Sequence, residues 1–506
     1  MKIPLEIPPG LASDDTTFSS SVWSDGDNVR FWGGKPEVIG GWVDAMNGTT
    51  LTGVCRNMLA IGSGNGNATI VFGTHSALQV WQGGALYTIT PSGLTTGSID
   101  GTTGGASGYG SGAYNVGTYG SGSTTYFART WALSTYGSYL IANPRGGGIY
   151  EWQGDTGALA LIITNAPTEV TYALATPQRQ VLAFGCNEEV SADFNALCIR
   201  GSDIEDNTDW TTTATNNAFE HILDAAGGRI VAARLIGPYV AVWTNVSLYL
   251  GEYIGQPEQT YRFDRIADNC GLAGPNAVEV TDNAAFWLSP DGQFRAYAVG
   301  GKPEIIPCPI GKDFRDNLET GQVDKVSASA LSQFNEVCWH YPDSRDGIEN
   351  SRYVSVGLSQ GSGWFKGTLA RTATINSGVL SYPVKATYAG MVYYHEYGND
   401  ADGAALAWEL TSSDISFGDA SSWLMCRGLW PDIEGQQGDI SMTVSFKPYP
   451  QGTATTKGPY TLASSADKKD FLAQGRLAAL SFSGADAPSW MRLGRPVFDL
   501  VPTGQQ

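Results

Sequence analysis

Charged side chains are scarce in this 506-residue sequence, at 16% of all residues, and basic ones are the scarcer kind. Thirty Lys and Arg stand against 49 Asp and Glu, which gives a formal net charge of −19. Nucleic-acid binding depends on Lys and Arg that release phosphate counterions, and no long basic run occurs, so stable DNA or RNA binding is not expected. The acidity fits two roles: it keeps a large protein soluble, or it forms a wall that nucleic acid passes without adhering.

Long apolar runs are also missing. No stretch of 18 apolar residues occurs, and prolines and a glutamate interrupt the first ten residues. We therefore expect neither a membrane-spanning segment nor a cleavable secretion signal. The cysteines are odd in number and include no C-x-x-C pair, which predicts free, buried thiols and synthesis in a reducing cytoplasm. They are Cys55, Cys186, Cys198, Cys270, Cys308, Cys338 and Cys426.

The motifs of common catalytic and metal sites are absent from the sequence. None of the four histidines, His75, His221, His340 and His395, stands in H-E-x-x-H, in H-x-H or beside a cysteine pair, so no zinc site is predicted. There is no G-x-S-x-G elbow and no P-loop. We expect no catalytic, cofactor or metal residues and interpret the chain as a non-enzyme, with a glycosidase built on two distant carboxylates as the alternative.

Two acidic clusters, residues 203–209 and 399–403, place side-chain oxygens at alternate positions, as a calcium-binding loop does. Neither cluster has the Gly at position 6 and the Glu at position 12 of the EF-hand loop. A solvated turn is the favoured interpretation of each cluster, and a calcium loop is the other.

Short apolar runs that alternate with turn residues dominate the chain, which contains 64 glycines. Pairs of such runs begin near residues 69, 139, 180, 239, 284, 336 and 391, and most of these starts are 41 to 59 residues apart. That spacing is typical of a four-stranded propeller blade with loops of variable length. We predict an all-β protein with a β-propeller of about six to seven blades over residues 43–428. The one weak helical signal is a single turn at residues 470–474.

Three further segments differ from the propeller in composition or in the pattern of apolar residues. Residues 1–42 form an N-terminal arm, rich in Pro and Gly, that we expect to pack on the propeller or on a neighbouring subunit. Residues 92–122 are Gly-rich, and this segment is interpreted as an exposed loop or as an arm that orders on assembly. Residues 429–506 contain strictly alternating strands such as 439–446, which predict a C-terminal β-sandwich-like platform domain.

Several short segments carry a resemblance to a known family. The chain opens with IPPGL at residues 7–11, WSDGDNVRF at 23–31 and GKPEVIGGW at 34–42. Similar patches follow at residues 149–152, 163–167, 199–203, 209–211, 449–450, 458–460, 475–476 and 492–496. The sequence resembles the tail-nozzle (tail hub, or packaged-DNA-stabilisation) proteins of short-tailed bacteriophages. These are turn and packing signatures, which mark a family without marking a reaction. The Gly-rich segment and the lack of a plain gate segment depart from the family pattern.

The resemblance implies a structural subunit of the virion tail, made in the host cytoplasm. Six copies would usually form a ring below the portal and adaptor rings, where they continue the DNA channel and close it until genome ejection. The implied partners are other copies of the chain, the adaptor ring, and tail fibres, spikes or a needle. Double-stranded DNA would pass transiently without specific binding.

The turns around Arg476, Arg492 and Arg495 are expected to dock on the adaptor, or else to be solvated or brace local carbonyls. Two alternative functions stay open. One is another phage tail role, such as a fibre anchor or baseplate hub. The other is a carbohydrate-binding or carbohydrate-active propeller, which 15 Trp and 23 Tyr would suit.

Overall fold

The computed structural model describes residues 1–62, 68–101, 127–225, 228–257, 259–416, 422–464 and 468–505. Regular structure in these residues is almost entirely β-strand. The described helices are α1 (Gly311–Asn317) and a 3-10 helix (Thr320–Lys325). Neither is long and apolar enough to span a bilayer.

The first residues supply five short strands before the propeller begins. They are β1 (Lys2–Pro4), β2 (Trp23–Asp27), β3 (Val29–Trp32), β4 (Lys35–Val38) and β5 (Trp42–Asp44).

Six blades then follow, each built from four consecutive antiparallel strands. Blade 1 comprises β6 (Cys55–Gly62), β7 (Ala68–Thr74), β8 (Leu78–Gln82) and β9 (Ala85–Thr88). Blade 2 comprises β10 (Trp131–Tyr136), β11 (Tyr139–Pro144), β12 (Tyr150–Trp152) and β13 (Leu161–Ile162). Blade 3 comprises β14 (Val170–Ala175), β15 (Val181–Asn187), β16 (Phe194–Gly201) and β17 (Phe219–Ile222). Blade 4 comprises β18 (Ile230–Ile236), β19 (Tyr239–Thr244), β20 (Ser247–Gln256) and β21 (Gln259–Asp268). Blade 5 comprises β22 (Val278–Thr281), β23 (Ala284–Leu288), β24 (Phe294–Ala298) and β25 (Glu304–Ile305). Blade 6 comprises β26 (Ser327–Leu331), β27 (Glu336–Pro342), β28 (Asn350–Gly357) and β29 (Trp364–Thr368).

Blade 7 combines strands from two distant parts of the chain. Its first three strands are β30 (Ala373–Ile375), β31 (Val384–Ala386) and β32 (Val392–His395). Its fourth strand is β5, which pairs antiparallel with β32 so that Val43 lies opposite Tyr394. The first strand of each blade lies next to the first strand of the following blade, and β30 lies next to β6, so the circle of seven blades is closed. The predicted β-propeller is therefore confirmed, with seven blades.

The remaining strands form a second unit beside the propeller. They are β33 (Trp408–Ser412), β34 (Ile415–Ser416), β35 (Ser422–Trp430), β36 (Ile433–Gln437), β37 (Ile440–Lys447), β38 (Thr455–Leu462), β39 (Lys469–Gly475), β40 (Leu477–Gly484), β41 (Trp490–Leu493) and β42 (Val497–Gln505). Together with β1–β4 they make three sheets. The strand orders are β1-β42-β35-β39, β2-β33-β40-β37-β38 with β34 on β40, and β3-β4-β41-β36.

Two of these sheets bury their facing sides against each other. Along β37 every second side chain is buried, and these residues are Ile440, Met442, Val444 and Phe446. Phe471 of β39 faces them from the other sheet, with its ring centre 6.5 Å from that of Phe446. The alternation follows from the two-residue period of a strand with one face in the core. The predicted sandwich-like domain is confirmed.

The sheets divide the chain at different places from the expected domain limits. The last propeller strand before the second unit ends at His395, and the expected limit at residue 428 falls inside β35. Three strands of the expected arm, β1, β2 and β4, pair with strands of residues 408–505, and β3 pairs with β4, so the second unit is built from both ends of the described chain. The arm packs within its own subunit.

The predicted helical turn at residues 470–474 is wrong, because these residues belong to strand β39. Phe471 and Ala473 are buried there, whereas Leu472 is 61% exposed, so the burial has the period of a strand. The seven cysteines are free, and all but Cys308 are buried, as expected. Of the predicted Gly-rich segment, residues 102–122 lie outside the described residues.

Candidate functional site

One end of the propeller axis collects charged side chains from several blades. In each blade the loop before the first strand and the loop after the second strand lie at the same end, because successive strands are antiparallel. We name the residues that meet at this end of the axis the axial cluster. They lie in these loops or directly beside them, and two belong to the connection between blades 1 and 2. The axial cluster comprises Arg56, Asp100, Phe127, Arg145, Arg229, Asn276, Asp324, Lys325 and Glu349.

Two contacts of the axial cluster cross the axis. Asn276 before blade 5 donates from Nδ2 to the carbonyl oxygen of Arg56 in blade 1, at 2.7 Å. Arg145 of blade 2 places Nη1 3.1 Å from Oδ1 of Asp324, which precedes blade 6. Each pair of blades is three positions apart, the largest separation in a circle of seven. The end of the axis is therefore bridged by direct contacts and has no room for a nucleic-acid duplex.

Residues 99–101 of the Gly-rich segment contact the axial cluster. Arg56 donates to both carboxylate oxygens of Glu349, at 2.6 and 2.8 Å, and its Nη2 also donates to the carbonyl oxygen of Ile99. Lys325 donates to Oδ1 of Asp100 at 2.6 Å. Gly101 exchanges two hydrogen bonds with the side chain of Gln322. Residues 99–101 of this segment are thus held at the axis by blades 1 and 6.

A second group of buried charges lies where the second unit meets blades 6 and 7. We name it the junction network, and it comprises Arg30, Glu37, Glu336, His340, Arg371, Lys385, His395 and Glu396. Arg30, whose side chain is 1% exposed, donates to both oxygens of Glu396 at 2.9 and 2.6 Å. Its Nε lies 3.4 Å from Glu336, and its guanidinium carbon lies 3.6 Å from the ring centre of Phe334.

Two histidines of the junction network each contact a buried cation. Arg371 donates from Nε to Nε2 of His395 at 2.9 Å, and Lys385 lies 3.1 Å from Nε2 of His340. Burial lowers the pKa of both histidines well below its usual value, and the neighbouring Arg371 and Lys385 lower it further. Both imidazoles are therefore neutral acceptors that are packed in the core.

Three of the segments that carry the family resemblance, residues 7–11, 34–42 and 492–496, lie near this network. Leu11 donates its backbone N–H to Trp364 of blade 6 at 2.9 Å. In the register of β4 and β41, Glu37 lies opposite Arg492, and their side chains form an ion pair at 3.3 Å. Trp490 donates from its indole to the carbonyl oxygen of Val38 at 2.9 Å. Segments more than 450 residues apart in the sequence thus form one joint.

The three arginines predicted to dock on the adaptor lie in different surroundings. Arg492 contacts Glu37 and donates to the carbonyl oxygen of Trp32 at 3.3 Å, so it braces the joint. Arg495 is 63% exposed and pairs with the exposed Glu6 at 2.7 Å. Arg476 lies in the turn between β39 and β40, with its guanidinium over the ring of Trp423. The structure brings Arg492 and Arg495 to the same arm and leaves Arg476 in another sheet.

The two acidic clusters cap their own loops. Asp203 accepts from the backbone N–H groups of Ile204 and Asn217, and Asp209 accepts from those of Thr211 and the amide of Asn216. Asp400 accepts from the backbone of Gly403. Among the described residues no group of three or more His, Cys, Asp or Glu is arranged to hold a metal ion. The hydrogen bonds of both clusters are those of local turns.

The other two histidines have local packing roles. His75 accepts at Nδ1 from the backbone of Val54 at 2.9 Å, and His221 stacks on Phe263. The predicted site residues do not include Arg30, Lys385 or Glu396. A charged residue between two apolar residues of a short strand, as in Val29-Arg30-Phe31 and Val384-Lys385-Ala386, is the signal that could have found the first two.

No protein-family model matches the chain, and no curated protein matches it. Among solved structures it is similar to the β-propeller domain of Cps50 (Swd1) from Myceliophteria thermophila, at 11% identity and a TM-score of 0.41, over 69% of this chain and 99% of that one. It is also similar to the WD40 β-propeller domain of Doa1, at 8% identity and a TM-score of 0.40, over 71% and 99%. The designed protein Ika8 matches at 16% identity and 0.38, over 68% and 97%. These likenesses concern the propeller fold alone.

Proposed function

We propose that this chain is a structural subunit of a bacteriophage tail, of the tail-nozzle kind, and that it has no enzymatic role. Copies of it would form a closed ring of subunits, six in number, below the adaptor ring. The ring would continue the DNA channel and take part in genome ejection. The proposal rests on the sequence resemblance given above.

The observation that carries the proposal is the joint between the arm, the second unit and blades 6 and 7. Two segments that resemble the tail-nozzle family, residues 34–42 and 492–496, contact each other there through the β4–β41 pairing and the Glu37–Arg492 pair. Closure of blade 7 by β5 ties the same joint into the propeller. A stiff body of this kind suits a subunit that must keep its shape under the pressure of a packaged genome.

In this proposal DNA moves between subunits and not through a propeller. The axis of each propeller is bridged by the Asn276–Arg56 and Arg145–Asp324 contacts, so the channel has to be the central opening of the ring of subunits. Six subunits would carry 6 × −19 = −114 charges. Repulsion of this kind acts within a Debye length of about 8 Å at physiological salt and keeps DNA from adhering to the wall.

The oligomer is the first test. Native mass spectrometry of the full chain, alone and with the adaptor protein of the same particle, should give a closed ring of six subunits, which electron microscopy should show as a six-fold particle. A chain that stays monomeric under both conditions contradicts the proposal.

Adaptor docking gives a second test with a matched pair of variants. Arg495→Ser removes an exposed side chain, so it should weaken adaptor binding and leave the melting temperature unchanged. Arg492→Ser removes the brace to Glu37 and Trp32, so it should lower the melting temperature. Unchanged adaptor binding of Arg495→Ser would remove this residue from the docking surface.

DNA affinity gives a third test. Filter binding of a DNA duplex to the isolated protein at physiological salt should show no measurable retention. The chain has few Lys and Arg side chains that could displace counterions from the DNA phosphates. A basic protein of similar mass serves as the positive control. Micromolar or tighter binding with a steep salt dependence would contradict the proposed channel wall.

The alternative of a glycan-binding propeller is favoured by one group of exposed aromatic side chains on blade 7. Tyr382 and Tyr397 are 36% and 47% exposed and meet edge to face with ring centres 5.2 Å apart. Tyrosine rings of this kind offer a polar hydroxyl and an apolar face to a sugar. Glycan-array binding by wild type that is lost in Tyr382→Ala and Tyr397→Ala would establish this function, and a blank array would exclude the sugars tested.

A further inference from the structure

The axial cluster contains a pair of arginines whose charge is only half balanced. The guanidinium carbons of Arg145 and Arg229 lie 4.0 and 4.4 Å from the ring centre of Phe127, so one aromatic ring holds both groups in place. Among the described residues, Asp324 is the carboxylate that reaches Arg145, and it is the acid that acts on Arg229. Two cations therefore share one anion.

Arg145 is also short of hydrogen-bond acceptors. Its side chain is 7% exposed, and both Nη1 and Nη2 are buried with no hydrogen-bond partner. The Nη1–Asp324 distance is 3.1 Å, but Oδ1 of Asp324 likewise lacks a hydrogen bond. A buried guanidinium with two unused donor atoms is costly, because its lost hydration is not replaced.

The residues directly before Phe127 and Arg229 add no negative charge, and the carboxylate of Asp224 accepts from the hydroxyl of Tyr249 at 3.0 Å. Residues 102–126, which lead to Phe127, and residues 226–227, which precede Arg229, contain no Asp or Glu. Burial lowers the pKa of Arg229, and the nearby Arg145 lowers it further, in keeping with a shortage of anions. The other two cations of the axial cluster, Arg56 and Lys325, have Glu349 and Asp100 as partners.

We propose that Arg145 and Arg229 form a binding site for a small tetrahedral oxyanion, of the inorganic phosphate or sulfate kind, at the axis of the propeller. Guanidinium groups bind such oxygens through paired N–H donors, and Arg145 has two that are unused. The anion balances the second cation of the pair. This site is independent of the proposed tail function.

Isothermal titration of the full chain with inorganic phosphate, in phosphate-free buffer at constant ionic strength, tests the site. Wild type should bind phosphate saturably, and sulfate should compete. Arg229→Gln should weaken phosphate binding about tenfold or more, because it removes one charged donor group. Arg262→Gln, at a 54% exposed arginine on the outer strands of blade 4, should bind like wild type.

Two further variants keep the result interpretable. Arg229→Lys keeps the charge and should retain more affinity than Arg229→Gln, and circular dichroism should show that every variant is folded. Arg145→Gln removes the guanidinium that has the two unused donor atoms, so it should abolish phosphate binding. The proposal is overturned if wild type shows no saturable binding, if chloride at equal ionic strength has the same effect, or if Arg229→Gln and Arg145→Gln both bind as well as wild type.

Discussion

The junction network and the axial cluster are both groups of buried charged side chains, and they differ in how the charges are balanced. The junction network has three cations, Arg30, Arg371 and Lys385, and three carboxylates, Glu37, Glu336 and Glu396. The axial cluster has four cations, Arg56, Arg145, Arg229 and Lys325, against Asp100, Asp324 and Glu349.

The difference separates a structural role from a binding role. Charges that are balanced inside the chain need no counter-ion from outside, so the junction network holds blades 6 and 7 and the second unit together. A cation without its own partner leaves capacity for a ligand. We expect changes in the junction network to affect stability most, and changes in the axial cluster to affect ligand binding most.

The largest effect is expected from Arg30→Met, which leaves Glu336 and Glu396 buried without their cation. Losing one partner of a buried ion pair typically costs about 3–5 kcal/mol of the free energy of unfolding. Denaturant titration against the exposed-site variant Arg262→Met measures the difference. Restoration of much of this loss in the triple variant with Glu336→Gln and Glu396→Gln would show that unpaired charge, and not lost packing, is the cause.

The next effect concerns pH. The pKa of His395 is lowered in the folded chain by burial and by Arg371, so the unfolded chain takes up a proton first as the pH falls below about 6.5. The free energy of unfolding then decreases by about 1.4 kcal/mol per pH unit for this histidine. His395→Gln keeps an acceptor for Arg371 and cannot be protonated, so its stability should fall less steeply between pH 7 and pH 5.

The comparison with wild type isolates the histidine. Burial raises the pKa of Glu336 to about 7, and this carboxyl group works in the opposite direction because the folded chain holds its proton more tightly. Wild type and His395→Gln share that contribution, so it cancels in the difference between their denaturation curves. Parallel pH profiles for the two proteins would contradict the neutral-histidine assignment.

A smaller effect is expected when the axis is unbridged. Asn276→Ala removes the donor to the carbonyl oxygen of Arg56 and should lower the free energy of unfolding by about 1–2 kcal/mol, since a buried acceptor is left unpaired. Gln474→Ala truncates an exposed amide that donates to Thr503 and is the matched control. Equal losses in the two variants would mean that the bridge across the axis contributes nothing of its own.

The smallest effect is expected from Arg229→Gln in phosphate-free buffer. Removing a cation that has no partner of its own relieves repulsion from Arg145, so the free energy of unfolding should stay within about 0.5 kcal/mol of wild type. Thermal melts with and without phosphate measure this. A loss as large as that of Arg30→Met would show that the two groups of charges do not differ in role.

Much of the propeller could be predicted because each blade contains strands with clear turns between them. Six of the seven predicted starts fall on second strands of blades, and the start at residue 391 falls on β32. The closing strand β5 could not be predicted, because three residues carry no periodic pattern and its partner lies 350 residues away. The pairing of β1, β2 and β4 with strands of residues 408–505 could not be predicted for the same reason.

The charged groups were largely out of reach of sequence reasoning. Arg30 lies in a strand buried on both faces, so its burial depends on blade 7, which the local pattern does not reveal. The residues of the axial cluster come from five blades and one connection, and no regular spacing in the sequence relates them. The turn of residues 203–209 could be predicted because its hydrogen bonds join residues that are close in sequence.

The pairing of β5 with β32 also has a consequence for biosynthesis. The closing strand is made before the other strands of the propeller, and its partner emerges about 350 residues later, which at about 5–20 residues per second is a delay on the order of tens of seconds. Until then the nascent chain holds an open row of blades with two unpaired edges. The propeller can close only after β32 has been made, so we expect slow folding that is dominated by long-range contacts.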